Sequence, residues 1–337
     1  MPRVAAALLK PPRKHEKVAL MSHSPLEGSR IVVTGGGGFL GSYVVDRLRA
    51  IPGTQVFVPR SAQVDLVRLD HVERYFDETK PTVVFHLAAK VGGIEANRLQ
   101  PGTFFRDNMQ MGIHVLEQAR ARGVKKIVIT GTVCAYPKFA PIPFREDDIW
   151  NGYPEETNAP YGVAKKALLV MAQSYRKEFG VNAVMVFPVN LYGPRDHVDL
   201  VTSHVIPAMI RKFVEAKERG DKEVVLWGDG SPTREFLYVE DAADGIIACA
   251  ERYDGEDPVN LGCGEEISIR DLATVVARHA GYTGALRWDT TKPNGQPRRK
   301  LDTSRAKERF GWVSTTRFED GLRTTIDWYL KTRGERT

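Results

Sequence analysis

The chain has 337 residues, 42% of them hydrophobic and 27% charged, with a formal net charge of +6 at pH 7. These values exclude a fibrous or disordered chain and leave room for one large α/β domain with a smaller second lobe. Much of the positive excess sits near the N-terminus, where Arg3, Lys10, Arg13, Lys14, Lys17 and Arg30 face Glu16 and Glu27, so it reads as a solvated tail and not as a nucleic-acid-binding face.

Residues 1–28 read as a disordered extension, with Met21 as an alternative start. Val4 to Leu9 is too short to span a membrane, which needs ~20 apolar residues, and no signal cleavage site follows it. The fold signal begins at Ile31. Ile31-Val32-Val33 is a β-branched run that leads into Gly35-Gly36-Gly37-Gly38-Phe39-Leu40-Gly41, and Phe39 to Ala50 has helical spacing. A strand, a tight glycine turn and a helix form the cradle of a dinucleotide pyrophosphate. Gly35 suits the turn, Gly38 the approach of the phosphates and Gly41 the packing of helix on strand. Gln55 to Pro59 reads as a second strand. An acidic residue at its end would accept the ribose hydroxyls of NAD, but Pro59-Arg60-Ser61 stands there, and Arg60 suits the 2′-phosphate of NADP. Asp65 and Leu66 are candidates for the adenine end.

Thr82 to Leu87 is a third strand ending in Ala88-Ala89-Lys90, and small residues there leave room for a cofactor. Met109 to Arg122 is a helix stopped by Gly123. Lys126 to Thr130 is a fourth strand, followed by Gly131-Thr132-Val133-Cys134. The proline-rich, acidic stretch from Pro137 to Pro160 reads as a loop at the site mouth. Tyr161 to Phe179 is a long helix ended by Gly180, and Asn182 to Phe187 a further strand. Continuous apolar strands alternating with helices predict a doubly wound parallel sheet of the Rossmann type across residues 29–190. From residue 191 the pattern changes to turns, short strands and short helices, which predicts a smaller lobe over 191–330, with segments around 237–245 returning to the first domain. Cys134, Cys249 and Cys263 make neither a complete disulfide set nor a metal-binding spacing, which favours a reducing, cytoplasmic compartment.

Tyr161 and Lys165 share one helix face. An ammonium beside a tyrosine favours the phenolate, so the pair suits proton exchange at a carbinol during hydride transfer. Thr132 adds a hydroxyl at the end of a strand.

Several stretches resemble the GDP-L-fucose synthases, a family within the extended short-chain dehydrogenase/reductase group. They are Ala88 to Ile94 (AKVGGI), Cys134 to Lys138 (CAYPK), Glu156 to Tyr161, Asn190 to Pro194 (NLYGP), Ser203 to Ala208 (SHVIPA), Trp227-Gly228, Arg234-Glu235-Phe236 and Lys292 to Gly295. The resemblance runs from residue 31 to about 330. It implies epimerisation of GDP-4-keto-6-deoxy-D-mannose at carbons 3 and 5, followed by reduction of carbon 4 with NADPH. It assigns the acid–base pair of the epimerisation to Cys134 and His204, the proton donor of the reduction to Tyr161, and the nicotinamide ribose contact to Lys165, with His204 also at the cofactor. A thiol and an imidazole suit that work because both titrate near working pH. For the GDP-sugar it implies Asn190, Lys212, Trp227, Arg234, Lys292 and Arg298. It further implies a homodimer paired through the helices at 109–122 and 161–179.

The chain departs from the family pattern at Thr132-Val133, where serines are common, and at Arg195-Asp196-His197-Val198-Asp199, where aspartate, asparagine and phenylalanine are more usual. It departs again at Lys212 and at Asn294. Two other readings are consistent with the same fold. One is an epimerase or 4-ketoreductase of another nucleotide sugar. The other is a non-catalytic NADP-binding sensor, for which the intact Thr132, Tyr161 and Lys165 set would be superfluous.

Overall fold

A computed structural model describes residues 24–92, 94–198, 203–292 and 294–334. Val4 to Leu9 and Met21, with the rest of the expected extension up to residue 23, lie outside the described residues, as do Gly93, Asp199 and Pro293.

In chain order the elements are β1 (Arg30–Thr34), α1 (Phe39–Arg49), β2 (Gln55–Phe57), α2 (Leu69–Thr79), β3 (Val83–His86), α3 (Ile94–Leu99), α4 (Pro101–Ala121), β4 (Lys126–Thr130), α5 (Ala159–Phe179), β5 (Ala183–Pro188) and β6 (Asn190–Tyr192). There follow α6 (Val205–Arg219), β7 (Glu223–Trp227), β8 (Thr233–Arg234), β9 (Phe236–Tyr238), α7 (Val239–Arg252), β10 (Val259–Leu261), β11 (Ile267–Ser268), α8 (Ile269–Ala280), β12 (Ala285–Asp289), β13 (Arg298–Arg299), α9 (Ser304–Phe310) and α10 (Phe318–Gly334).

The main sheet has the order β10-β5-β4-β3-β1-β2 and all its pairings are parallel. Its central strands are largely apolar because helices cover both faces. β3, β4 and β5 are buried along their whole length. On one side α4 and α5 lie so close that a methyl group at Gly112 would stand 2.3 Å from the Leu168 side chain. On the other, α1 packs against α7. Helices α5, α6, α8 and α9 each end on a glycine with φ of 70°, a left-handed cap that costs glycine little.

The buried apolar side chains form two clusters. The larger surrounds the main sheet and takes in Leu237, Val239, Ile246, Cys249, Val259, Leu261, Phe310 and Trp312 from the later part of the chain. The smaller joins α6, α8 and α10 to the short sheets, through Ile210, Phe213, Leu226, Leu272, Val276 and Leu322. β10 supplies the edge strand of the main sheet beside β5.

Some sequence readings differ from the observed elements, and the short helix α3 is one that the sequence reading lacks. Helix α4 starts at Pro101, earlier than the Met109 read from the sequence, because proline is accepted in the first turn of a helix, where no N–H is needed. Helix α2 was not read at all. It buries Val72, Phe76 and Thr79 on one face, an apolar stripe at helical spacing that the sequence reading passed over.

Candidate active site

A cleft of about 1110 Å³ opens at the C-terminal ends of β1, β3, β4 and β5, where ligands of open parallel sheets bind. Gly35, Gly38, Phe39, Leu40 and Gly41 line one end of it. Gly35 adopts φ +74° with its α-carbon hard against Ala88, so that a Cβ there would stand 2.7 Å from Ala88 N. A Cβ on Gly41 would fall 2.0 Å from Gly35 O. Gly38 caps α1 in an extended conformation and turns the first helical amides toward the cleft. The guanidinium of Arg60 lies over Gly37, where a Cβ would come within 2.1 Å of Nη1. A cradle closed to side chains and roofed by an exposed arginine fits a dinucleotide with an additional phosphate.

Asp65, Leu66, Ala88 and Ala89 line the same end. Asp65 turns its carboxylate back to its own loop, accepting from Val67 N at 3.0 Å. Leu66 is buried, and its carbonyl meets His114 Nδ1 at 3.0 Å. Asn108 of α4 clamps the loop after β3, accepting from Lys90 N and donating to Lys90 O, each at 3.0 Å.

Thr132, Cys134, Tyr161 and Lys165 meet in the middle of the cleft. Thr132 starts a short 3-10 turn, and its hydroxyl accepts from Cys134 N at 3.2 Å. The same hydroxyl hydrogen-bonds the Tyr161 phenol. Tyr161 stands in the first turn of α5, whose entry is tied by Glu155 Oε2 accepting from Asn158 Nδ2 at 3.0 Å. The next residue has to be glycine for the helix to seat: a Cβ at Gly162 would stand 2.3 Å from Cys134 O. The turn carrying the cysteine and the helix carrying the tyrosine therefore touch backbone to backbone.

Lys165 is 1% exposed, and its ammonium donates to Thr130 O at 2.8 Å. Burial pushes its pKa down to about 8. The expected lowering of Tyr161 by this lysine is not observed. Burial pushes the Tyr161 phenol well up, Cys134 adds to the rise, and the bond from Thr132 offsets part of it. The Lys165 ammonium is spent on a carbonyl at the end of β4, and desolvation dominates at the tyrosine.

His204 is the N-cap of α6 and lines the cleft with Ser203, Asp196 and His197. Burial lowers its pKa, and His197 lowers it further. Asn190 and Arg234, expected at the substrate, also line the cleft. Asn190 Nδ2 donates to Glu235 O at 3.1 Å, which fixes β6 against β9.

Four expected substrate residues lie off the cleft wall. Lys212 donates to Val225 O at 3.2 Å. Trp227 is 63% exposed and carries the Lys292 ammonium 5.5 Å from its ring centroid. Arg298 faces outward to Glu266, with Nε 3.2 Å from Oε1.

The neighbour of Arg298 was missed from the sequence. β13 pairs in parallel with β8, placing Arg298 beside Thr233 and Arg299 beside Arg234. Thr233 also bonds Glu266, at 2.7 Å, so one face of this strand pair turns outward. The other face brings Arg299 and Arg234 into the cleft wall. Arg299 Nη1 lies 3.8 Å from Cys134 Sγ. Burial and the adjoining Arg299 depress Arg234 to about 10. Two guanidiniums crowded in this way, against their own repulsion, make a strong anion site. The period-two alternation of a strand held the signal, but two residues are too few to show it in sequence.

Residues 31–262 match the NAD dependent epimerase/dehydratase family. The chain belongs to that family. Within it, the chain is 43% identical over 305 residues to GDP-L-fucose synthase 1 of Arabidopsis thaliana, covering 90% of this chain and 94% of the relative. Among solved structures, a GDP-L-fucose synthetase from Naegleria fowleri bound to NADP superposes with a TM-score of 0.83 at 28% identity, covering 90% of this chain and 94% of that one. A GDP-6-OMe-4-keto-L-xylo-heptose reductase from C. jejuni superposes with a TM-score of 0.84 at 28% identity, covering 90% and 97%. The family assignment agrees with the glycine cradle, the parallel sheet and the Tyr161–Lys165 pair.

Proposed function

We propose that the protein converts GDP-4-keto-6-deoxy-D-mannose to GDP-L-fucose, inverting carbons 3 and 5 and then reducing carbon 4 with NADPH. One observation carries this reading above the others. The backbone N–H of Cys134 and the phenol of Tyr161 both bond the Thr132 hydroxyl, which brings the thiol and the phenol into one cleft that His204 also lines. A reductase alone has no use for the thiol and the imidazole.

A ketone at carbon 4 acidifies the C–H bonds at carbons 3 and 5, since the carbanion is delocalised as an enolate. Cys134 and His204 act as the acid–base pair from opposite faces. Arg299 holds the sulfur and faces negative charge that develops beside it. Thr132 and Tyr161 bind the carbon-4 oxygen, and Tyr161 gives it the proton. Lys165 orients the nicotinamide ribose. Bound NADPH supplies the hydride. Arg60 takes its 2′-phosphate, and Gly35, Gly38 and Gly41 its pyrophosphate. Arg234 and Asn190 meet the GDP end, with Trp227 and Lys292 at its outer corner, and Lys212 and Arg298 supporting from behind. Residues 29–190 carry the cofactor and 191–330 the GDP-sugar, with segments from 237 returning to the cofactor side.

The protein acts in the cytoplasm as a homodimer paired through α4 and α5, where Phe105, Ile113, Val170 and Phe179 are exposed. Among the described residues no helix is long and apolar enough to cross a membrane. Sedimentation at micromolar concentration gives the mass of two chains, and a single-chain mass removes the pairing. The activity is tested by incubating the protein with GDP-mannose, a separate GDP-mannose 4,6-dehydratase and NADPH. The expected result is NADPH loss matched by a new GDP-sugar that co-elutes with GDP-L-fucose. No NADPH loss and no new GDP-sugar contradicts the reading.

A further inference from the structure

Gln296 follows directly on the Lys292 to Gly295 stretch, and nothing in the two-stage reaction so far gives it work. Its side chain lines the cleft, and the residue is 8% exposed. Both ends of its amide are used. Nε2 donates to Lys138 O at 2.8 Å, and Oε1 accepts from Arg299 Nε at 2.8 Å. A guanidinium N–H only donates and a backbone carbonyl only accepts, so the amide fits between them in one orientation. A different nitrogen of the same guanidinium meets sulfur, with Arg299 Nη1 3.8 Å from Cys134 Sγ. Cys134 and Lys138 belong to one short stretch of chain. The contacts therefore close a ring. It runs from the thiol along the backbone to Lys138 O, across the Gln296 amide, through the Arg299 guanidinium and back to the thiol.

The backbone on both sides of this ring is held without Gln296. After Cys134, Tyr136 OH donates to Asn260 Oδ1 at 2.6 Å, and Lys138 N donates to Tyr153 O at 3.0 Å. Opposite, Thr233 N donates to Pro297 O at 2.9 Å and Glu235 N to Arg299 O at 3.1 Å. What the amide alone restrains is the Arg299 side chain. Arg234 stands beside it in the register of β8 and β13, and repulsion between like charges drives the guanidinium away unless it is tethered.

Resting on the function proposed above, we infer that Gln296 is a positioning residue for the inversion, holding the Arg299 guanidinium against the Cys134 sulfur while a proton moves between sulfur and carbon. When Cys134 gives its proton to the enolate, the S–H bond breaks, the C–H bond forms, and the electron pair stays on sulfur as a thiolate facing Arg299. When the thiolate takes a proton from carbon, that pair forms the S–H bond and the negative charge passes to the enolate oxygen. The guanidinium keeps its protons throughout. A donor already in place needs no reorganisation at the moment of transfer, which is where fixed charge contributes most. Reduction at carbon 4 works through Thr132 and Tyr161 and does not involve this ring.

The test uses the full chain, Gln296→Met, Arg299→Gln and the double variant, with GDP-4-keto-6-deoxy-D-mannose in deuterium oxide and no NADPH. Deuterium uptake at carbons 3 and 5 is followed by NMR, and NADPH affinity is measured separately by fluorescence. Gln296→Met nearly keeps the length of the side chain and removes both amide bonds. Its maximal uptake is expected to slow about tenfold or more, with KM for the GDP-sugar and NADPH affinity within about twofold of wild type. The double variant should be no slower than Arg299→Gln alone, since the two residues act as one unit. Uptake by Gln296→Met at the wild-type rate overturns the positioning role. Losses that multiply in the double variant overturn it too, because Gln296 then acts apart from Arg299. So does a change confined to KM, which puts the guanidinium on the diphosphate, or a loss of NADPH binding, which indicates damage to the fold. A wild-type protein that takes up no deuterium overturns the functional reading and the role in inversion with it. Uptake by wild type with an unaffected Gln296→Met overturns the positioning role alone, which separates the two failures.

Discussion

Single side chains decide which ligand and which proton this cleft accepts. Arg60 lies over Gly37 and makes no ion pair among the described residues. A charged hydrogen bond to phosphate contributes about 1.5–3 kcal/mol. Arg60→Ala is therefore expected to raise the KM for NADPH about ten- to a hundredfold while leaving that for NADH nearly unchanged. Equal losses for both cofactors in steady-state kinetics would remove Arg60 from the phosphate. Asp196 is a second case. It is 7% exposed, its Oδ2 lacks a partner among the described residues, and burial raises its pKa from 3.8 to about 7. Between those values the folded chain binds more protons than the unfolded one, so stability falls as pH rises from about 4 to about 7. Asp196→Asn cannot titrate. Its melting temperature relative to wild type should climb between pH 5 and pH 8, and a constant difference would contradict a buried neutral acid. Arg60 was legible in the sequence because a strand end after a glycine loop has a known orientation. Asp196 was not, because nothing local in sequence distinguishes a buried aspartate from a surface one.

At the scale of elements, the proposed chemistry depends on α5 meeting the turn after β4. Tyr161 and Lys165 were legible because helical spacing alone puts them on one face. The flat contact beneath them was not, since Gly162 looks like any glycine until Cys134 O is found where its side chain would be. Gly162→Ala forces the two segments apart or strains the helix, at about 1–3 kcal/mol for overpacking of this kind. The expected outcome is a kcat reduced at least tenfold with NADPH affinity nearly intact, because the glycine loop lies on α1 and not on α5. An unchanged kcat would show that the separation of Tyr161 and Cys134 is not critical. The pair β8 and β13 makes the same point for charge. Arg298 and Arg299 are equivalent on paper, and the parallel register alone decides that Arg299 faces the cysteine while Arg298 faces Glu266.

The whole molecule joins a parallel sheet, built for a dinucleotide, to a second cluster of short elements that closes over its C-terminal edge. The sheet was legible strand by strand, since buried parallel strands are continuous apolar runs. The path of the later chain was harder to read. β10 returns to the far edge of the sheet, and Asn260 within it gathers Tyr136 OH at 2.6 Å, Glu146 at 2.9 Å and Phe144 O at 3.0 Å. Contacts this distant in sequence leave no periodic trace. The result places Cys134, His204 and Tyr161 in one cleft, and the central claim is that two proton-transfer tasks occur there on one sugar. NMR of the product formed from GDP-4-keto-6-deoxy-D-mannose and unlabelled NADPH in deuterium oxide tests this most directly. The account predicts GDP-L-fucose carrying deuterium at carbons 3 and 5 and ordinary hydrogen at carbon 4. A reduced sugar of unchanged configuration, with no deuterium at carbons 3 and 5, would contradict it.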